Sequence, residues 1–438
     1  MPGAARTRSR NLILALVALI VAMGGWLAMM PAAEASWTPV VLVSPPGWQG
    51  QDTPSLAVDG NGNTTLAWVG YGCPHCGTRL QVQTRIRSHT GRMGPIQALS
   101  PLTGWESWPK AAVDATGDRA FIWANSSQMQ GRRVSASGSV GPLRVLSAPD
   151  TAPETWGVVM APSGAALAVW TQLRDVSQQI MARYIHKNGS LGPVITLGAV
   201  VPAWPAIAID RTGTATVAWT DPDRRVVARR VTPGKVSALR VIMPATATRT
   251  YGVGSIADDS SGDTVFAINT SQSTLLERVW RSGGRLDPAR QVARNQETVV
   301  SDVAVATDAT GDSIVAWTRY DSSTQSEVAF GRRVSLAGAL GPVVRLGIGY
   351  APAITIDPAG AGLVAWQSTP LPLPGSTGNG LTHIYARRFA AASGTFGRLF
   401  TLTADGESAR LGESRTGKIA AIWQQSTLPW PIRARFGP

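Results

Sequence analysis

The residues best suited to chemistry in this chain are aromatic rings interleaved with carboxylates. Trp48, Trp105, Trp108, Trp156, Trp204, Tyr251 and Tyr350 return along the chain, with Asp52, Glu106, Glu154 and Glu407 among them. Rings that stack on sugar faces, beside acids that accept from hydroxyls, suit a carbohydrate. Two such acids flanking a glycosidic bond would instead suit its hydrolysis, Glu106 with Glu154 or Asp52 with Glu407. Lys110 and Arg410 offer cations to an anionic group. The competing reading is structural: rings that cap strand ends, and cations that run their stems along the surface into water.

The only two cysteines lie in Cys73-Pro74-His75-Cys76. This tetrapeptide resembles the active site of thiol–disulfide oxidoreductases of the thioredoxin fold. That chemistry needs the first Cys at a helix N-terminus, which lowers its pKa. Here the segment falls in a loop between two strands, so the expectation is a local disulfide joining Cys73 and Cys76. Zinc would have two cysteines and His75, with only His383 available as a fourth ligand. No cofactor or metal is expected. The histidines at 75, 89, 186 and 383 form no hydrolytic constellation, and no serine sits in a G-x-S-x-G elbow.

The elements that must position these residues repeat. LAVDGNGNTTLAW ends at Trp68, AAVDATGDRAFIW at Trp123, IAIDRTGTATVAW at Trp219, VATDATGDSIVAW at Trp317 and ITIDPAGAGLVAW at Trp366. Weaker copies end at Trp170, Ile268 and Trp423, and the eight ends are 55, 47, 49, 49, 49, 49 and 57 residues apart. Such a period means one supersecondary unit repeated around or along an axis. Each unit holds four short segments of alternating apolar residues, in the fourth period Ala206–Asp210, Thr216–Thr220, Val226–Thr232 and Ser237–Ile242. The fold class predicted is all-β, an eight-bladed β-propeller with four antiparallel strands per blade.

Three positions recur in the units. The Asp of D-x-x-G can accept backbone N–H bonds within its turn, and the Gly takes positive φ. A structural turn and a calcium loop are the two readings, and calcium needs several oxygens per site. The Trp nine residues on should fill the wedge between blades. An arginine of the third strand, Arg85, Arg132, Arg183, Arg229, Arg278, Arg332, Arg387 and Arg435, is expected to lie on the neighbouring blade and pair with a turn carboxylate or carbonyls. The alternative is a ring of arginines facing one ligand. The Trp-to-Arg spacing varies from 9 to 21 residues, so the connection from strand two to three is the variable one. With the strand four-to-one connections it forms one face, the expected ligand surface.

The last unit stops after three strands at Gly437-Pro438, whereas elsewhere a Gly-Pro introduces the fourth strand. Thr38–Ser44 has the pattern of that missing strand, so the N-terminal strand is predicted to complete the C-terminal blade and protect both edges. Upstream, Arg6, Arg8 and Arg10 precede an apolar run and the small-residue exit Ala33-Glu34-Ala35. This reads as a signal peptide over 1–35, or an uncleaved anchor, ahead of a single propeller domain over 36–438 that is secreted or held at the cell surface. Without the leader, 37 basic and 26 acidic residues remain, with no basic run beyond pairs, which argues against nucleic acid. A monomer binding an extracellular glycan, a cell-envelope polymer or a protein is expected.

The D-x-x-G…W period resembles bacterial secreted β-propeller repeat proteins and, more distantly, sialidases with their Asp-box repeats. An Asp-box reads S-x-D-x-G-x-x-W, whereas here Gly follows Asp by three and Trp follows by nine. Sialidases have six blades and an Arg-Ile-Pro motif that this sequence lacks. The resemblance implies the architecture and leaves sialidase activity aside. The function expected is non-catalytic binding on the variable face, with a glycan-cleaving enzyme using paired carboxylates as the alternative.

Overall fold

In a computed structural model, residues 37–45, 49–71, 79–102, 106–174, 177–201, 204–246, 250–294, 301–368, 381–390 and 394–437 are described. The propeller is the unit Pro39–Phe436. Each period folds as its alternation requires, into a sheet whose four strands pair antiparallel in chain order. Blades 1 to 7 span 49–98, 106–145, 156–199, 206–243, 251–294, 301–348 and 350–403. Blade 8 holds Glu407–Glu413, Ile419–Gln424 and Ile432–Gly437, and its outer strand is Val41–Leu42. Val41 pairs with Ala434 and Leu42 with Arg433, so the N-terminal strand closes the ring as predicted, though its regular part is shorter than Thr38–Ser44. The first strand of every blade contacts that of the next, and blade 8 contacts blade 1, so the first strands surround a central channel. In blade 4 the predicted outer strand breaks in two, Lys235–Val236 and Arg240–Met243. The break falls where Ser237 turns its N–H and carbonyl to Arg230 and Arg229.

The three recurrent residues hold this ring together. Trp68, Trp123, Trp170, Trp219, Trp317, Trp366 and Trp423 are all buried, at 2% exposure or less. Trp170 of blade 3 packs among Ile122, Met129 and Leu146 of blade 2, and Trp219 of blade 4 among Val169 and Ala182 of blade 3. The ring thus fills the wedge to the preceding blade, where its large area gives most burial. At the one copy without Trp, Ile268 of blade 5 shares its cluster with Trp280 and Phe266, which supply the missing volume.

The arginines are clamps, and carbonyls rather than turn carboxylates are their partners. Arg132 donates from Nε to Gly141 O of its own outer strand region at 2.7 Å and from Nη1 to Leu99 O of blade 1 at 2.8 Å. Arg183 does the same with Gly192 O and Leu146 O, at 2.8 and 3.0 Å. Arg85 and Arg278 likewise join their own blade to the previous one. Arg435 reaches back to Thr401 O and Leu402 O. A charged donor shared between blades stabilises each junction more than a neutral one would.

The turns explain the strict D-x-x-G. Asp114 Oδ1 accepts from Thr116 N and Asp118 N at 2.9 and 3.0 Å, and Asp210, Asp259, Asp308 and Asp357 repeat this. Ser414 substitutes with its hydroxyl, while Ala161 keeps the backbone bonds alone, its N–H to Ala165 O and the Gly164 N–H to its carbonyl. The Gly has a second reason to be invariant besides φ near +85°. A Cβ on Gly262 would stand 2.8 Å from Asp210 Oδ2, and one on Gly311 2.7 Å from Asp259 Oδ2. The turns therefore pack head to tail around one mouth of the channel, and at Gly213, Gly262 and Gly311 there is no room for a side chain.

Candidate functional site

The opposite mouth, formed by the two-to-three and four-to-one connections, carries the described members of the predicted aromatic series. Trp48, Trp105, Cys73 and Cys76 lie outside the described residues, as does His75. Asp52 belongs to the strand Gln49–Val58, but its side chain is likewise outside what is described. The others fall into two groups. Trp156 and Tyr251, expected as exposed rings, are buried at 4% and 8% exposure and serve as packing residues. Tyr350 is half-buried. Trp204 is 55% exposed, and Trp108 is half-buried between it and Trp156.

These three tryptophans, from consecutive blades 2, 3 and 4, form one cluster. Trp108 and Trp156 have ring centroids 5.5 Å apart, and Trp108 and Trp204 6.0 Å apart, all tilted. Trp156 Nε1 donates to Trp108 O at 2.8 Å, which fixes the backbone beneath the outer rings. Trp108 itself sits at φ +40°, a region that bulky residues rarely occupy. The cause is a bulge, since the pairing of the first two strands shifts register between Ser107 and Lys110. A bulge re-aims side chains, and the same position is left-handed at Asp302, Ala351 and Ser408 in blades 6, 7 and 8.

Just past the bulge, four residues before each turn Asp position, the eight blades carry Ser55, Lys110, Gly157, Ala206, Ser255, Ala304, Ala353 and Arg410. Six blades have a small residue at this position and two have a cation. Lys110 Nζ lies 6.0 Å from the Trp204 ring centroid, at the outer limit of a cation–π contact. Arg410 donates to Ala409 O at 3.0 Å. Its side chain is accessible to water, yet desolvation by the surrounding strands lowers its pKa.

The described carboxylates of the same face have separate partners. Glu106 is fully buried and accepts from Asn125 Nδ2 at 3.2 Å. Glu154 is exposed and bonded to Gln178. One acid is locked into the blade and the other into solvent, each with its own partner. Glu407 is half-buried, and burial, then the charge of Asp405, raise its pKa.

The turn-face mouth holds what sequence reasoning passed over. The residue before the turn Asp position is Val58, Val113, Met160, Ile209, Thr307 or Ile356 in six blades, but Asp258 and Glu413 in blades 5 and 8. The residue after it is Gly60, Ala115, Pro162, Ser260, Ala309 or Pro358 in six, but Arg211 and Arg415 in blades 4 and 8. Two cavities of about 210 Å³ open there, and Ile209, Arg211, Glu413 and Arg415 border both. Burial, with Asp210 and Asp259 nearby, pushes Asp258 up to about 7 against the opposing pull of Thr264 and Arg230. Burial and the charge of Asp357 push Glu413 up to about 8. The signal was legible: a column-by-column comparison of the repeats shows both departures.

Comparison with known proteins places the fold. No protein-family model matches the chain, and no curated protein matches it. Solved structures do. A prolyl endopeptidase aligns at TM-score 0.51 with 12% identity over 87% of this chain and 55% of its own, so this chain spans about half of that enzyme. The Dos1 propeller aligns at TM-score 0.46 with 8% identity, over 75% of this chain and 92% of its own. The Aleuria aurantia lectin, solved with Fucα1-6GlcNAc, aligns at 0.38 with 12% identity, over 67% of this chain and 96% of its own. Each likeness is one of fold alone, and the count of eight blades rests on this chain's own sheets.

Proposed function

We propose that this propeller is a non-catalytic binding protein that takes an acidic glycan at the connection-face mouth of its channel. The observation that carries this reading is the tryptophan cluster of blades 2 to 4 with Lys110 beside Trp204. Trp204 offers an exposed ring for a sugar face, and the strained, bulged backbone at Trp108 holds a second ring next to it. Lys110 and Arg410 supply positive charge where six blades have only small residues, which suits a carboxylate or sulfate on the sugar. The N-terminal segment, read as an export signal or anchor, would place the propeller outside the cytoplasm, where such glycans occur. Under this reading the acids serve the scaffold, since Glu106 is tied to Asn125 and Glu154 to Gln178.

A glycan array of neutral and acidic sugars, followed by product analysis of the ligands retained, tests this. Retention without cleavage, weakened about tenfold or more in Trp204→Ala and in Lys110→Ala, is the expected result. Retention of no glycan, or variants that bind as the parent does, would sink the proposal.

A further inference from the structure

The turn-face mouth carries chemistry of the opposite sign, on residues that break the repeat. One cavity is bordered by Asp258, Asp259, Asp308 and Glu413, and by only two cations, Arg211 and Arg415. The other is bordered by Asp59, Asp114, Asp210 and Glu413, with the same two arginines. Both are therefore net acidic once Asp258 and Glu413 are ionised, within a chain whose formal charge is +13. The turn aspartates are accounted for by their backbone bonds. Asp258 is not: both its carboxylate oxygens are buried, and Thr264 is the one side chain placed to hydrogen-bond them, at poor geometry. Glu413 also has a buried Oε2 without a hydrogen-bond partner. Nothing in the scaffold requires an acid at either place, because six blades fill that position with an apolar residue or threonine. A poorly paired buried carboxylate is costly, and a group retained at that cost points to a partner that arrives from outside.

We propose that the turn-face mouth is a second binding site, in which Asp258 and Glu413 receive an organic cation, an ammonium or guanidinium group. The choice of an organic cation over a metal ion follows from the geometry. A calcium site needs several oxygens converging on one point, and among the described residues no three acids, histidines or cysteines come together in that way. A guanidinium or ammonium needs only one or two acceptors and can fill the remaining volume with its carbon stem. Arg211 and Arg415 are both exposed and project from turns of blades 4 and 8, opposite one another in a ring of eight. They border both cavities.

The site is independent of the glycan mouth, and its test separates the two. The probes are agmatine, calcium chloride and sodium sulfate, each titrated calorimetrically into the full chain at about pH 6 and about pH 8.5. The groups facing the two acids are Asp210, Asp259, Arg230 and Thr264 around Asp258, and Asp357, Arg388 and Thr355 around Glu413. With both acids ionised at the higher pH, agmatine should bind about tenfold or more tightly there, and sulfate should not bind at this mouth. Asp258→Asn and Glu413→Gln should each weaken agmatine about tenfold or more, whereas Trp204→Ala should leave it unchanged. The amides are near-isosteric with the protonated acids, and a thermal melt checks that each variant is folded. Absence of agmatine binding overturns the proposal. So does agmatine binding that both amide variants retain, or calcium binding through the same two acids while agmatine is silent.

Discussion

The two mouths of this channel are built from the same strand and carry opposite chemistry. Four residues before the turn, the first strands of blades 2 and 8 place Lys110 and Arg410; one residue before it, those of blades 5 and 8 place Asp258 and Glu413. Blade 8 contributes to both, with Arg410 and Glu413 three residues apart. At one end Lys110 stands beside tryptophans, one of them raised on a bulged backbone. At the other the acids stand among turns packed so tightly that a Cβ on Gly311 would meet Asp259. The comparison teaches where to look in a ring of near-identical blades. Positions that every blade shares are joints, and a function is written in the columns where one or two blades depart.

The comparison rests first on the joints being rigid, and the largest expected effect is there. Trp170 is fully buried between blades 2 and 3. Trp170→Ala should lower unfolding free energy by about 3–5 kcal/mol, through lost burial and the cavity left behind. Denaturant titration checks this, and a loss below about 1 kcal/mol would mean that the wedge is not what holds adjacent blades.

The acidic mouth should next announce itself in the pH dependence of stability. Asp258 and Glu413 have folded-state pKa values of about 7 and about 8, above the ordinary carboxylate range. The folded chain therefore holds more protons than the unfolded chain, and stability falls as pH rises through about 4 to 8. Asp118, Asp263 and Asp405 are shifted downward and act in the opposite sense, but at the acid end of the scale. Asp258→Asn should raise stability at about pH 8 by on the order of 2–4 kcal/mol and flatten the slope between about pH 5 and 8. Melts across that range decide it: a parent protein that gains stability towards pH 8 would remove the buried acid from the argument.

The clamps give a smaller effect. Arg183→Ala should cost about 2 kcal/mol, because the carbonyls of Gly192 and Leu146 lose a shared charged donor at a half-buried junction. Arg183→Lys should recover only part of this, since an ammonium cannot span both carbonyls with the planar fork. Equal stability of parent, alanine and lysine forms would make the arginine series ornamental.

How much of this was legible in the sequence follows from which residues act locally. The turn chemistry of Asp210-x-x-Gly213, the tryptophan period and the closing strand are set by near neighbours or by strict repetition, and the fold follows from them. The bulge at Ser107–Lys110 is different. Nothing in the residues themselves announces it, yet it turns Trp108 outward and leaves Trp156 beneath. Sequence alone could therefore name Trp156 and Tyr251 among the rings without separating the buried from the exposed. Burial of Asp258 and Glu413 was equally hidden, because it depends on which blade lies against each. Their departure from the repeat was not hidden, and comparison by column rather than by motif finds it.

The smallest expected effect on stability is also the sharpest test of the contrast between the mouths. Trp204 is exposed, so Trp204→Ala should change unfolding free energy by less than about 0.5 kcal/mol. Trp204 leans on Trp108 but leaves more than half of its surface open, and in this proposal the ligand covers that surface. The same substitution should weaken acidic-glycan binding by about tenfold while leaving agmatine untouched, and Asp258→Asn should do the reverse. Titration of both probes into both variants yields a two-by-two comparison. Effects confined to the diagonal mean two sites at two ends of one channel. If Trp204→Ala instead weakens agmatine, or Asp258→Asn weakens the glycan, the ends are coupled and the channel acts as one site.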